Sequence, residues 1–141
     1  PLVIEETMKS IPMVSQCMLI GDGRKYCSAL FTLDVGAILR DKHGMDPAKI
    51  PKDPTVQIST LESFGKTLAD YTDSEEIHAE MQAQVTELNG QFSNPEQIKK
   101  FKILPRDLNV DFGELTPTLK IRRIQIRENW AAEIEAMYEG A

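Results

Sequence analysis

Apolar residues recur along the chain with two different periods, and the switches between them predict its elements. Ile4, Met8 and Ile11 stand at i, i+4 and i+7 ahead of Pro12, with Glu5 and Glu6 in the first turn. That spacing predicts a short amphipathic helix over 3–11, with the two carboxylates at the positive end of its dipole. Residues 13–21 and 25–34 change to β-branched, aromatic and alternating positions around Asp22-Gly23, which predicts a β-hairpin. Cys27, Ala29, Phe31 and Leu33 then share one face, and a two-residue turn would set Cys17 diagonal to Cys27 rather than opposite it. Asp34 can cap a helix carrying Val35, Ile38 and Leu39, which ends at Gly44 after Arg40, Lys42 and His43.

Three prolines within residues 45–54 predict a surface loop. Leu61, Phe64, Leu68 and Tyr71 then define a helix over 56–71, and Ile77, Met81, Val85, Leu88 and Phe92 a second over 75–92. Thr72 and Glu75 have capping-box spacing between them, and the two helices are expected to pack as a hairpin. Phe101 and Ile103 alternate with Lys100 and Lys102 in a strand stopped by Pro105. LNVDF (108–112) alternates again, and Gly113, Thr116, Pro117 and Thr118 make an irregular loop. Ile126, Trp130, Ile134 and Met137 predict a helix from 126 to the end. The order amounts to an α+β domain, a small β-sheet with a hairpin covered by helices.

The chain's 141 residues are 41% hydrophobic and 27% charged, the make-up of one globular domain over 1–141. A chain of this size buries roughly 68–70% of its unfolded surface, enough for a core without disulfides or metal. With 16 Lys plus Arg against 22 Asp plus Glu, the net charge of −6 argues against a polyanion binder. No apolar run approaches the ~18–20 residues that span a bilayer, and the first ten residues lack the basic start and apolar stretch of a signal peptide, so the expected location is cytoplasmic. Cys17 and Cys27 fit no zinc-ligand spacing and are expected to be free, packed thiols with no metal site. A first residue of Pro1 rather than Met leads to the expectation of a piece of something longer.

Reactive groups are few. His43 and His78 stand 35 positions apart with no HExxH and no serine elbow, and both are expected to be surface histidines. Glu5/Glu6 and Glu75/Glu76 are explained by their first-turn positions. Cations cluster in 98–102 and 119–127, yet no interleaved aromatic platform accompanies them, so no nucleic-acid partner is expected. The segment GELTPTLKIRR (113–123) is the most suggestive. Its glycine, threonines and proline hold an extended turn with N–H groups and hydroxyls free to point outward, and it delivers Lys120 at the edge of a basic helix. An ammonium presented this way can meet a phosphate or a carboxylate.

LTPTLKIRR resembles the C-terminal signature of AMP-forming long-chain fatty acyl-CoA synthetases, members of the adenylate-forming superfamily. Residues 3–34 are similar to the family's segment just after its hinge, IKKFKILPRDLNVDFGELTPTLKIRR matches its ending, and NWAAEIEAMY resembles its terminal helix. The resemblance implies the small C-terminal domain of such a ligase, a domain that rotates over an active site held by a large N-terminal domain. It implies fatty acid, ATP and coenzyme A as substrates, with ATP and Mg2+ bound mainly by the large domain, and an isolated fragment without activity. The superfamily motif T-x-x-G-K falls on Thr116–Lys120 with Leu119 in the glycine place, so the resemblance makes Lys120 the adenylation lysine and Thr116 and Thr118 its neighbours at the substrate. Arg24 and Lys25, at the hairpin tip, would meet phosphates of coenzyme A. The alternative is a stand-alone, non-catalytic α+β binding or regulatory module in which Lys120 is a surface cation. Peripheral membrane contact of the parent enzyme through 119–127 would require a free apolar face, and Ile126, Trp130 and Ile134 are expected to pack on the sheet instead.

Overall fold

The computed structural model describes residues 2–140; Pro1 and Ala141 lie outside the described residues. The alternating segments form a three-stranded sheet in the order β1 (Val14–Ile20), β2 (Cys27–Leu33) and β3 (Ile98–Ile103). β1 and β2 are antiparallel, with Cys17 opposite Phe31 and Leu19 opposite Ala29. β3 returns parallel to β2, with Ala29 beside Phe101 and Phe31 beside Ile103. A parallel return needs a long crossover. Residues 34–97 supply it through α2 (Val35–His43), α3 (Pro54–Ser63), α4 (Ala69–Thr72) and α5 (Glu75–Asn89). α1 (Leu2–Met8) precedes the sheet, and α6 (Arg123–Asn129) and α7 (Ala131–Met137) follow it.

The central strand is buried over nearly its whole length because both faces are covered. Ala29, Phe31 and Leu33 face a core built with Ile4 and Met8 of α1, Ile38 of α2 and Met81 of α5. Leu30, Met18 and Ile20 face the opposite way, onto Leu104, Leu115, Ile126, Trp130 and Ile134. The architecture is the α+β fold that the sequence implies, with helices on both sides of a small mixed sheet. Exposed Lys99, Lys100 and Lys102 line β3, where charge guards a sheet edge against further pairing.

Several boundaries differ from the periodic reading. The hairpin loop is 21–26 rather than two residues, so the register shifts and Cys17 and Cys27 stay apart as free thiols. The helix expected over 56–71 is two helices, because Gly65 takes a left-handed φ of 78° after Ser63 and ends the first. That break sends Phe64 out of the apolar stripe, where it stacks on His43 with centroids 4.5 Å apart. Pro54 opens α3 as its first residue, with the Asp53 carboxylate accepting from Thr55 N at 2.8 Å. α3 packs on α2, so the expected hairpin with α5 does not form. Ser74, not Thr72, caps α5 by accepting from Ile77 N, and the buried Thr72 hydroxyl has no partner among the described residues. Residues 108–112 form no strand: Leu108 is buried, but the Asn109 side chain accepts from Phe112 N and turns the chain, exposing Val110 and Phe112. The last helix starts at Arg123 and breaks at Trp130, whose φ of −116° and ψ of 26° leave the helical range.

Candidate functional site

Residues 114–122 form a small closed turn, with Leu115 and Ile121 packed on the core beneath α6 and α7. Leu115 and Ile121 pair in an antiparallel bridge, and Arg122 N donates to Glu114 O at 2.8 Å. Inside it, Thr116 N donates to Lys120 O and Leu119 N donates to Thr116 O, both at 2.8 Å. The Thr116 hydroxyl accepts from Lys120 N at 3.1 Å and lies 3.1 Å from the Thr118 hydroxyl. Both backbone groups of Lys120 are thereby turned inward, while its side chain is exposed and its ammonium pairs with no carboxylate among the described residues. Leu119 has φ 65°, the one non-glycine residue with positive φ among those described. A left-handed leucine is strained, so surrounding bonds must enforce the backbone next to Lys120. Beside it lies a cavity of about 470 Å³ lined by Lys120, Leu119, Arg123, Lys9 and Glu5, among others.

Two carboxylates flank the turn, and neither was legible as such in the sequence. Glu114 is fully buried. Its oxygens accept from Arg106 Nη1 and Nη2 at 2.7 and 3.0 Å, Trp130 Nε1 at 2.8 Å, Asn129 Nδ2 at 3.1 Å and Asn109 N at 3.3 Å. Burial by itself would raise its pKa, but the hydrogen bonds from Arg106 and Asn129, the Arg106 charge and the Asn109 N–H outweigh it and hold the carboxyl below its ordinary value. Glu5, read from spacing as a helix-dipole residue, is instead buried and accepts both arms of Arg123 while also accepting from Leu19 N at 2.7 Å. The hydrogen bonds from Arg123 to Glu5 push the Arg123 pKa up. Gly113, with φ 72°, admits the chain to this turn where a Cβ would come within 3.2 Å of Gln125 Cγ.

The structure brings Thr116, Thr118 and Lys120 together and leaves Arg24 and Lys25 elsewhere. Arg24 is paired with Glu135 of α7 and lies 4.7 Å from the Tyr138 ring centroid, at a cleft it shares with Arg127 and Ile134. Lys25 is exposed on the same loop. The two histidines sit in aromatic contacts: His43 also bonds to the Tyr71 hydroxyl, and His78 stacks on Phe101 at 4.3 Å.

No protein-family model matches the chain. Individual relatives do. The chain is 33% identical over 138 residues to the long-chain-fatty-acid–CoA ligase FadD15 of Mycobacterium tuberculosis, covering 98% of this chain and 20% of that protein. It is 29% identical over 149 residues to the human long-chain-fatty-acid–CoA ligase ACSBG1, covering 99% of this chain and again 20% of the relative. The matches fall on the C-terminal part of these proteins. This chain is a relative of the C-terminal part of long-chain fatty-acid–CoA ligases. It spans about a fifth of the length of the curated ligases it matches. Among solved structures, the adenylation and carrier didomain of carboxylic acid reductase from Segniliparus rugosus, in complex with AMP, superposes with a TM-score of 0.63 at 18% identity. That match covers 97% of this chain and 15% of the reductase chain. The adenylation domain of a carboxylate reductase from Mycobacterium chelonae gives 0.62 at 19% identity over 96% of this chain and 17% of the other. At such identities the likeness establishes the fold, which is that of part of an adenylation domain.

Proposed function

We propose that the chain is the small C-terminal domain of an AMP-forming long-chain-fatty-acid–CoA ligase and that Lys120 is its adenylation lysine. The observation that supports this most is the turn itself: its internal bonds engage the backbone of Lys120 and leave an unpaired ammonium at the surface. In the first half-reaction an acyl carboxylate oxygen attacks the α-phosphorus of ATP and pyrophosphate leaves. Negative charge then shifts over the carboxylate and phosphate oxygens. An ammonium standing between the two groups aligns them and stabilises that charge, and Thr116 and Thr118 hold the loop that carries it. In the second half-reaction the thiol sulfur of coenzyme A attacks the acyl carbon, and AMP leaves.

In this reading a large N-terminal domain holds the fatty acid and ATP. The same domain would hold the Mg2+ that accompanies the nucleotide, which needs only one or two carboxylates beside the phosphate oxygens. Lys25 and Arg24 are the candidates for the phosphates of coenzyme A, Arg24 only after exchanging its pairing with Glu135.

The test is Lys120→Ala in the full-length ligase. Losing one preorganised charge should slow acyl-AMP formation by about 10²- to 10³-fold, by analogy with loss of one oxyanion-hole donor. Consumption of pre-formed acyl-AMP with coenzyme A should be preserved, and Arg should rescue poorly because its planar fork differs in shape from a point ammonium. An equal fall in both half-reactions would refute the role.

A further inference from the structure

We propose that two buried carboxylates, Glu114 and Glu5, each gripped by a partly exposed guanidinium, Arg106 and Arg123, are a positioning clamp that sets where Lys120 presents its ammonium. The inference rests on the reading of Lys120 as the adenylation lysine and extends it to residues that do not touch substrate.

The turn that carries Lys120 is short and closes on itself, so its direction depends on its two roots. Glu114 is the last residue before the Leu115–Ile121 bridge, and Arg123 follows that bridge by two residues. Each root is fastened to a different part of the fold. Arg106 reaches Glu114 from the segment after β3, and Glu5 reaches Arg123 from α1. Both contacts are bidentate, which fixes orientation as well as distance.

The donor inventory exceeds what closing a turn requires. Five N–H groups converge on the Glu114 carboxylate, from Arg106 twice, Trp130, Asn129 and the Asn109 backbone. Arg106 is itself held flat, its guanidinium 4.0 Å from the Phe112 centroid and 4.9 Å from that of Trp130. Removing a carboxylate from water is costly, and well-packed apolar residues often serve stability as well, so stability by itself accounts poorly for two buried carboxylates around one turn. Fixing a geometry accounts for both. The left-handed Leu119 between the clamps is the kind of strained backbone that persists only where its surroundings over-determine it.

The test uses Arg123→Lys, which keeps the charge and loses the fork, and Trp130→Phe, which keeps a ring and loses one donor to Glu114. Each is made in the full-length ligase, alone and combined with Lys120→Ala. Because a displacement of about 1 Å can cost ~10²-fold, each clamp variant should slow acyl-AMP formation by about 10- to 100-fold, with the KM for ATP little changed. Turnover of pre-formed acyl-AMP should be unaffected, and in the Lys120→Ala background neither variant should slow adenylation further. A merely structural role would instead lower both half-reactions and add its loss to that of Lys120→Ala, which would overturn the clamp. Full adenylation in the clamp variants would overturn it as well. If Lys120→Ala loses adenylation and the clamp variants do not, only this inference falls; if Lys120→Ala adenylates at the full rate, the proposed function falls and takes the clamp with it. Should Arg123→Lys fail to fold, Trp130→Phe carries the same comparison.

Discussion

Leu119→Gly should stabilise this chain, or leave it unchanged, although it deletes a large apolar side chain. Leu119 holds φ 65° and the residue is 63% exposed. A left-handed conformation costs an L-residue roughly 1–2 kcal/mol, which glycine avoids. Against this, glycine loses more backbone freedom on folding, worth roughly 0.5–1 kcal/mol, and the exposed leucine gives up little burial. The balance is a gain between zero and about 1 kcal/mol, or up to ~4 °C in Tm for a domain of this size. Leu119→Ala keeps the left-handed Cβ and should show no such gain, while the β-branched Leu119→Val should be the least stable of the three. Urea and thermal unfolding of the 141-residue chain, followed by circular dichroism, measure all three. A loss of more than about 1 kcal/mol in Leu119→Gly with Leu119→Ala unchanged would refute the reasoning, since it would mean that this position does not need a positive φ.

Arg106→Ala should destabilise by about 3 kcal/mol, because it leaves the fully buried Glu114 carboxylate without its charge partner; the low end of the usual 3–5 applies because the Arg106 side chain is about one-third exposed. The same carboxylate predicts a pH dependence. Its folded pKa lies below the unfolded one, so its contribution is complete above the unfolded value of about 4.3 and is lost as pH falls through the folded value. Unfolding midpoints taken from pH 7 down to pH 3 should therefore drop more steeply for the native chain than for Glu114→Gln, and parallel curves would remove Glu114 as the cause. On the proposed function, charge-removing changes at Arg24 and Lys25 in the full-length protein should raise the KM for coenzyme A while sparing acyl-AMP formation, and an unchanged KM would return both residues to a structural role.

Local chemistry determined much of this molecule from sequence. Asp34 capping α2 and Gly44 ending it follow from residue type within a few positions, and the observed helix is Val35–His43 as expected. The same holds for the inward alternation of β2 and for the buried seam of Ile126, Trp130 and Ile134. The turn at Thr116–Lys120 was legible too, because threonine and proline in that spacing favour an irregular, outward-facing loop. Tertiary structure decided what periodicity cannot carry. Period 2 marks a strand but not its neighbour or direction, so the parallel return of β3 depended on the length and packing of the helical crossover. Period 3.6 ran on through Gly65 and Trp130, where backbone geometry broke each helix in two. Most consequential are the partners of the two flanking carboxylates. Glu5 and Arg123 lie 118 residues apart, and nothing local distinguishes a buried, doubly bonded glutamate from one that merely favours a helix dipole. Only the fold, by burying the carboxylate and bringing the guanidinium to it, puts the two together beside the Lys120 turn.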